Sequence, residues 1–403
     1  MLKIGWIDFS SEHREKVMGI LDLIKEKGAT DELGIGVVRD RLADKLFPGT
    51  STIQTRAKYL LLVPWIMKDI EDSGITNAKD YINTLSEKEI EFIYILLKNE
   101  DTEGVIGKQS KDKLKRKPSS IYWNAIKTYK ICTIERSISD YIKYVEDIKN
   151  INESSKFIDI DKKTNNYEGQ DDKDANSLDK VYLNWNICNP PENWKENLDI
   201  NLNYSEAKFL RERIIMSTKG TLLSLILEKN LEQVINYTDI KSLQCLEIND
   251  DYIKSILDLA IKFADIIFGI HIKYNMMIKD ELNEENEKLD DKWNEWCLEM
   301  NNFNWNLFDE ELLWNIVHPD KETKMFLNLW FEFAKLKSFN DDKYIKDEIK
   351  KREKRLKGSR AKLGNINKII HDQGWIGLGK LDYRWRNTRR ILADIEKGIE
   401  SYV

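Results

Sequence analysis

Apolar residues recur at helical spacing along most of this 403-residue chain, and few residues interrupt the pattern. Between residues 251 and 279, one apolar stripe contains Ile256, Leu259, Ala260, Phe263, Ile266 and Ile267. The chain has only six prolines and 18 glycines, while Lys, Glu, Leu and Ile are abundant, and this composition favours helix over strand. Residues 3–9 alternate apolar and polar side chains, as a short strand does. We therefore expect a mainly α, multi-helical protein with a short N-terminal β element.

The length of the chain allows two or three domains. Residues 151–180 are polar, acidic and nearly free of aromatic side chains, which predicts a linker or surface insertion. We expect an N-terminal helical domain at residues 1–150 and a C-terminal helical domain at residues 181–403.

The sequence gives no sign of a membrane protein, a zinc site or a disulfide framework. Its N-terminus lacks the charged-then-apolar layout of a signal peptide, and no run of about 18 apolar residues occurs. The four cysteines are far apart and show no CxxC spacing, so neither a zinc site nor a disulfide framework is expected. We predict a cytoplasmic protein without a membrane partner, bound metal or cofactor.

The formal net charge of −6 is unevenly distributed. Residues 350–390 contain 14 Lys or Arg and only three acidic residues, and residues 108–130 are basic on a smaller scale. The stretch at residues 280–311 is acidic. A strongly basic segment in an acidic chain predicts an anionic partner.

Nucleic acid is the partner that the C-terminal segment favours, because basic side chains neutralise phosphates and interleaved aromatic rings can stack on bases. The predicted contacts are Arg352, Lys354, Lys357, Arg360, Arg384, Trp385, Arg386 and Arg389. A solvated basic helix with Trp385 in the core gives the same pattern, and the arginines could instead pair with the acidic stretch. Residues 118–131 would suit the second helix of a helix-turn-helix unit, although an ordinary amphipathic helix with basic flanks is indistinguishable from it.

A second anion site is predicted near the N-terminus. The turn at residues 48–52 is expected to begin a helix that runs towards Asp72, and free amides at a helix N-terminus attract anions. The predicted ligands are Thr50, Ser51, Thr52, Arg56 and Lys58. Simple helix capping, with the two basic side chains paired to Asp40 or Asp44, explains the pattern as well. The segment lacks the spacing of a P-loop.

No catalytic residues can be assigned from the sequence. Asp8, Asp40 and Asp44 are candidates for binding a divalent metal, but two arginines flank Asp40, so ion pairs explain it equally well. The four histidines are isolated, and no hydrolase, kinase or dinucleotide-binding signature is present. We therefore lean towards a protein that is not an enzyme.

Five motifs resemble an uncharacterised bacterial family known as domain of unknown function 6361. They are GWIDFS at residues 5–10, DELGIG at 31–36, RDRLADKLFPGTSTIQTRAKYLLLVPW at 39–65, KGSRAKL at 357–363 and LDYRWR at 381–386. The family has no established activity, and residues 151–180 depart from the resemblance. The resemblance implies association with helicases and nucleases in anti-phage gene clusters.

The sequence thus predicts a non-catalytic, nucleic-acid-binding accessory subunit of a bacterial anti-phage system, with DNA as the expected nucleic acid and a helicase or nuclease as protein partner. Two alternatives remain open. One is a metal-dependent nuclease or nucleotide-processing enzyme that uses Asp8, Asp40, Asp44 and Arg56. The other is a scaffold that binds only proteins.

Overall fold

A computed structural model describes residues 31–75, 77–163, 184–230, 232–285, 287–337, 339, 341–369 and 374–401, except for the side chains of residues 152–163 and 232. These residues form the helices α1 Gly36–Leu46, α2 Tyr59–Asp72, α3 Ala78–Leu96, α4 Pro118–Thr128, α5 Ile138–Lys163, α6 Tyr204–Ser217, α7 Leu222–Glu228, α8 Asp251–Leu282, α9 Glu287–Asn301, α10 Glu310–Val317, α11 Lys321–Leu336, α12 Lys343–Lys357 and α13 Trp385–Glu400. Their β pairing is limited to an isolated antiparallel bridge between Cys132 and Trp185. The expected helical class is confirmed, while the β element expected at residues 3–9 lies outside the described residues.

Contacts divide the chain into two compact units, and neither is continuous in sequence. Unit 1 comprises Met1–Arg39 and Lys262–Leu381, and unit 2 comprises Asp40–Ile261 and Asp382–Val403. This division differs from the expected one, because the last segment of the chain packs with helices that are distant in sequence. Residues 151–163 continue α5 rather than forming a linker, and most of the predicted linker lies outside the described residues.

The core of unit 1 is built around the second half of α8. The indole N–H of Trp296 donates to the Asp265 carbonyl at 2.9 Å, and that of Trp330 donates to the Ile266 carbonyl at 2.9 Å. Gly269 lies directly beneath the Trp296 ring, where an added Cβ would come within 2.3 Å of a ring atom. The aromatic residues of α9 and α11 are therefore core residues, as their helical spacing suggested.

The core of unit 2 surrounds α2, whose residues from Tyr59 to Met67 are all buried. Helix α6 begins with a capping box, in which the Asn203 side chain accepts from the Glu206 N–H and the Glu206 carboxylate accepts from the Asn203 N–H. Gly398 of α13 lies against Ala207 of α6, and an added Cβ would come within 2.6 Å of the alanine methyl. The chain's last helix is thus part of the unit 2 core.

The segment before α2 is not helical, so the helix expected to begin near Thr50 begins at Tyr59 instead. Side chains bind the backbone here in place of helical hydrogen bonds. Gln54 accepts from the Ser51 N–H and donates to the Gly49 carbonyl, and the Tyr122 hydroxyl accepts from the Thr55 and Arg56 N–H groups. Such side-chain bonds compete with helix formation.

Helix α4, the candidate second helix of a helix-turn-helix unit, is a core helix. Seven of its 11 residues are buried, including Tyr122 and Trp123. The exposed side chains of α4 are limited to Ser120 and Asn124. A helix that reads a DNA groove must present a row of side chains to solvent, and α4 does not.

None of the described helices combines the length and the apolar composition needed to cross a bilayer. The longest, α8, spans 32 residues and carries charged side chains throughout.

Candidate nucleic-acid interface

A groove of about 810 Å³ runs between α11 and α12 in unit 1. Helix α12 buries Ile345, Ile349 and Arg352, while Lys351, Lys354 and Arg355 are exposed. The groove is lined by Lys321, Glu322, Met325, Phe326, Leu329, Glu348, Lys351, Arg352, Lys354 and Arg355. Its walls are therefore basic, while Phe326, Leu329 and the 57% exposed Met325 give it an apolar part.

Arg352 is the most unusual side chain in this groove, because it is a buried cation without an ion-pair partner among the described residues. It is only 7% exposed. Its Nε donates to the Leu33 carbonyl at 2.9 Å and its Nη2 donates to Thr323 Oγ1 at 2.7 Å, and both acceptors are uncharged. Burial lowers the pKa of Arg352, and nearby carboxylates, of which Asp320 acts most strongly, offset this only in part. The guanidinium nevertheless stays protonated.

The DELGIG motif places Leu33 against this guanidinium. Asp31 accepts from the Ile35 and Gly36 N–H groups at 3.0 and 2.7 Å, and its carboxylate thereby stabilises the beginning of α1. Gly34 has a φ of +70°, and an added Cβ would come within 2.8 Å of the Arg352 Nη2. Glycine is therefore required at position 34 of the motif, where the backbone approaches Arg352 of α12 closely.

The other cations of the groove differ in how far they are neutralised. Lys351 pairs with Glu348 at 2.7 Å, and Arg355 pairs with Glu322 at 3.1 Å. Lys354 is exposed and forms no ion pair within the described part of the chain, and the same holds for Lys321. The groove therefore keeps a net positive charge.

Two predicted contacts lie just beyond the groove. Lys357 pairs with the buried Glu32 at 3.3 Å, and Lys362 binds the same carboxylate at 2.5 Å. The KGSRAKL and DELGIG motifs thus meet through Glu32, and Lys357 has a structural partner. Arg360 is exposed in the short 3₁₀ helix Gly358–Arg360.

In unit 2, Arg384 is held by acceptors of its own chain. Its Nη1 lies 2.7 Å from Asp44 Oδ1 and 2.8 Å from the Thr50 carbonyl, and its Nη2 lies 3.1 Å from Asp40 Oδ1. The i, i+4 carboxylates of α1 therefore bind an arginine. No three His, Cys, Asp or Glu side chains in the described residues lie close enough to hold a metal ion, and Asp8 is outside those residues.

The prediction that Trp385 stacks on a base is wrong, because its side chain is completely buried. Its indole N–H donates to the Tyr237 carbonyl at 2.9 Å, and its ring lies 5.5 Å from that of Phe47. Arg389 donates to the same carbonyl at 3.3 Å, and Arg386 is exposed. The buried positions of α13, such as Trp385, Thr388 and Ile391, follow helical spacing, which is the signal that could have identified a core tryptophan.

The residues of the predicted N-terminal anion site all lie in unit 2, where its two cations already bind carboxylates. Arg56 Nε lies 3.0 Å from Asp394 Oδ1, its Nη1 lies 3.0 Å from Asp101 Oδ2, and its Nη2 donates to Asn201 at 2.9 Å. Lys58 lies 2.8 Å from both oxygens of Glu206.

The hydroxyl groups of that site do not converge on the two cations. Thr50 donates to the Phe47 carbonyl at 2.7 Å, Ser51 has a buried Oγ without a partner in the described part, and Thr52 is exposed. Anion binding at these residues stays a prediction. The carboxylates of Asp394 and Glu206, which the sequence reasoning missed, give the two cations a structural role.

Residues 1–157 match the profile of a family described as "Family of unknown function (DUF6361)". No curated protein and no solved structure matches the chain. The match covers the motifs at residues 5–10, 31–36 and 39–65 and confirms the resemblance there, while the motifs at residues 357–363 and 381–386 lie outside it. Residues 1–157 of this chain are therefore similar to DUF6361, a family whose function is unknown.

Proposed function

We propose that the α11–α12 groove of unit 1 binds the phosphate backbone of a nucleic acid, with Arg352 as its central contact. The observation that carries this proposal is the charge of Arg352, which is buried at the groove wall with two uncharged acceptors.

The physical argument concerns the free energy required to bury that charge. A buried ion without a counter-ion is strongly unfavourable, whereas an arginine bonded to a phosphate gains charge-assisted hydrogen bonds. Lys321 and Lys354 at the groove rim would bring further positive charge to the same ligand. Phosphates of a nucleic acid satisfy all three cations, and Met325 and Leu329 offer apolar contact to a sugar or base.

Within this proposal the protein is a non-catalytic accessory subunit. A cytoplasmic location, DNA as the preferred nucleic acid, and a helicase or nuclease of an anti-phage system as protein partner belong to the proposal too. These parts are supported by the family resemblance and by the charge pattern of the sequence.

The test is the affinity of the purified chain for labelled single- and double-stranded oligonucleotides, measured by fluorescence anisotropy across a salt titration. The variants Lys321→Glu and Lys354→Glu should weaken binding and flatten its salt dependence, by about 0.9 in the logarithmic slope per lost contact with duplex DNA. Lys343→Glu is the matched control, because Lys343 is an exposed lysine of α12, the helix of Lys354, and does not line the groove.

A variant that should bind more tightly completes the test. Glu322→Gln removes the partner of Arg355 and so leaves one more free cation in the groove. Tighter binding by this variant supports the proposal. Equal affinities for the wild type, the groove variants and the control would overturn it.

A further inference from the structure

The segment from Gly107 to Lys117 in unit 2 is a basic loop that the proposed groove does not use. Its lysines at positions 108, 111, 113 and 115 are exposed, and that at 117 is half-buried. None of the five forms an ion pair with a described residue, whereas four lysines of α12 do, namely Lys346, Lys350, Lys351 and Lys357. The basic loop therefore concentrates positive charge that the described fold does not neutralise.

The loop's single acidic side chain, Asp112, does not neutralise its lysines. Asp112 accepts from the Tyr94 hydroxyl of α3 at 2.7 Å, and the Lys111 ammonium lies 6.0 Å from the centroid of the same ring. The carboxylate therefore fastens the loop to α3 instead of pairing with a lysine.

The backbone of the loop is held in one shape. Lys111 N–H donates to the Gly107 carbonyl at 2.7 Å, Lys113 N–H to Ser110 at 2.9 Å, and Leu114 N–H to Lys111 at 2.9 Å. Gly107 has a φ of +83°, and an added Cβ would come within 2.6 Å of Ile93 Cδ1. The backbone that carries the lysines is thus ordered before any ligand binds, which reduces the backbone entropy lost on binding.

We propose that the basic loop is a second nucleic-acid contact, which binds the sugar–phosphate backbone without reading bases. Lysines occupy positions 111, 113, 115 and 117, so several positive charges lie within a short stretch of chain. A cluster of ammonium groups fits a ligand with repeated single negative charges. Lysine acts on phosphate as a point charge and carries no base specificity.

This inference shares its partner with the proposed function but depends on different residues. The test uses the full chain with the double variant Lys113→Glu/Lys115→Glu, whose two side chains are exposed. Lys208→Glu/Lys219→Glu is the control, because it makes the same charge change at two exposed lysines of unit 2 outside the loop. The loop variant should raise the Kd for a labelled oligonucleotide about tenfold at about 100 mM salt and reduce the salt slope, while the control should retain most of the affinity. The loop variant should bind oligonucleotides of different sequence with equally reduced affinity.

The outcomes separate the two proposals. A loop variant with unchanged affinity, together with weakened groove variants, would overturn this inference and leave the proposed function in place. Weakened loop variants with unchanged groove variants would support the loop and contradict the groove. If the loop variant loses affinity for polyglutamate but not for oligonucleotides, an acidic protein is the partner and the assignment to nucleic acid is overturned. Chemical acetylation of the lysines, quantified by mass spectrometry, gives a second readout. A bound oligonucleotide should protect Lys113 and Lys115 from the acetylating reagent.

Discussion

The Arg56 guanidinium lies 3.0 Å from the Asp394 carboxylate, although 338 positions separate the two residues. Arg56 lies in the family-matched region, and Asp394 lies on the last helix. Asp394 also accepts from the Ala57 N–H at 2.7 Å. The polar segment that the sequence offered as a ligand site therefore joins α13 to the rest of unit 2.

We predict that Arg56→Ala destabilises the protein by about 3–5 kcal/mol, because it leaves the Asp394 carboxylate buried without its counter-ion. Urea unfolding followed by circular dichroism measures this change. Lys88→Ala is the control, since it breaks an exposed pair with Glu91 and should cost less than about 1 kcal/mol. Equal small losses in both variants would contradict a structural role for Arg56.

Glu89 should make the protein less stable as the pH rises towards neutrality. Burial raises its pKa to about 7 from 4.5, although the Ser119 N–H that it accepts from lowers the pKa. Between these values the folded state binds more protons than the unfolded state, so the free energy of unfolding falls as pH rises from 4.5 to about 7. The contribution is fully present below pH 4.5 and lost above pH 7.

Glu89→Gln keeps the shape of the side chain and removes its titration. The decline in the free energy of unfolding between pH 4.5 and 7 should therefore be shallower in this variant, by up to about 1.4 kcal/mol per pH unit. Glu91→Gln, at an exposed position of the same helix, should leave the decline unchanged. Parallel curves for wild type and Glu89→Gln would show that Glu89 is ionised in the fold throughout.

His271 of α8 should have the opposite pH dependence. Its pKa falls to about 3 from 6.5, mainly because it is buried and also because Arg39 is near, and its Nε2 has no hydrogen-bond partner in the described residues. The unfolded state binds the extra proton, so its contribution to stability is present above pH 6.5 and lost as pH falls towards 3. His271→Leu should weaken this acid destabilisation in urea titrations. His318→Asn, at an exposed histidine, should not.

Trp385 should matter for stability and not for nucleic-acid contact. Trp385→Ala removes a buried ring and should cost about 3–5 kcal/mol, whereas Trp385→Phe should cost less because it retains the aromatic contact with Phe47. Under conditions where it is folded, Trp385→Phe should bind oligonucleotides with wild-type affinity. A loss of affinity without a loss of stability would restore the stacking role.

The sequence predicted the helical class because apolar spacing reports directly on which face of a helix is buried. It could not predict the partners of Arg56 and Lys58, since their carboxylates follow 338 and 148 positions later. It also misplaced the start of α2, because the Tyr122 hydroxyl reaches that segment from 67 positions away.

Charge alone also misled the sequence interpretation. The basic C-terminal segment was apparent, but Arg384 and Lys357 turned out to hold internal carboxylates, whereas Arg352 is buried without one in the described residues. The sequence does not distinguish a charged residue that forms an internal salt bridge from one that binds a ligand. Only the three-dimensional structure shows which role each residue has.

Photo-crosslinking tests the groove most directly. The protein would be mixed with an oligonucleotide that carries a photoreactive base, and the complex would be irradiated. The protein would then be digested with a protease, and the crosslinked peptides would be identified by mass spectrometry. We predict crosslinks to residues 321–329 and 351–355, which line the groove, and their loss in Lys321→Glu/Lys354→Glu. Crosslinks that avoid both segments, from a protein that binds the oligonucleotide, would contradict the assignment of the groove.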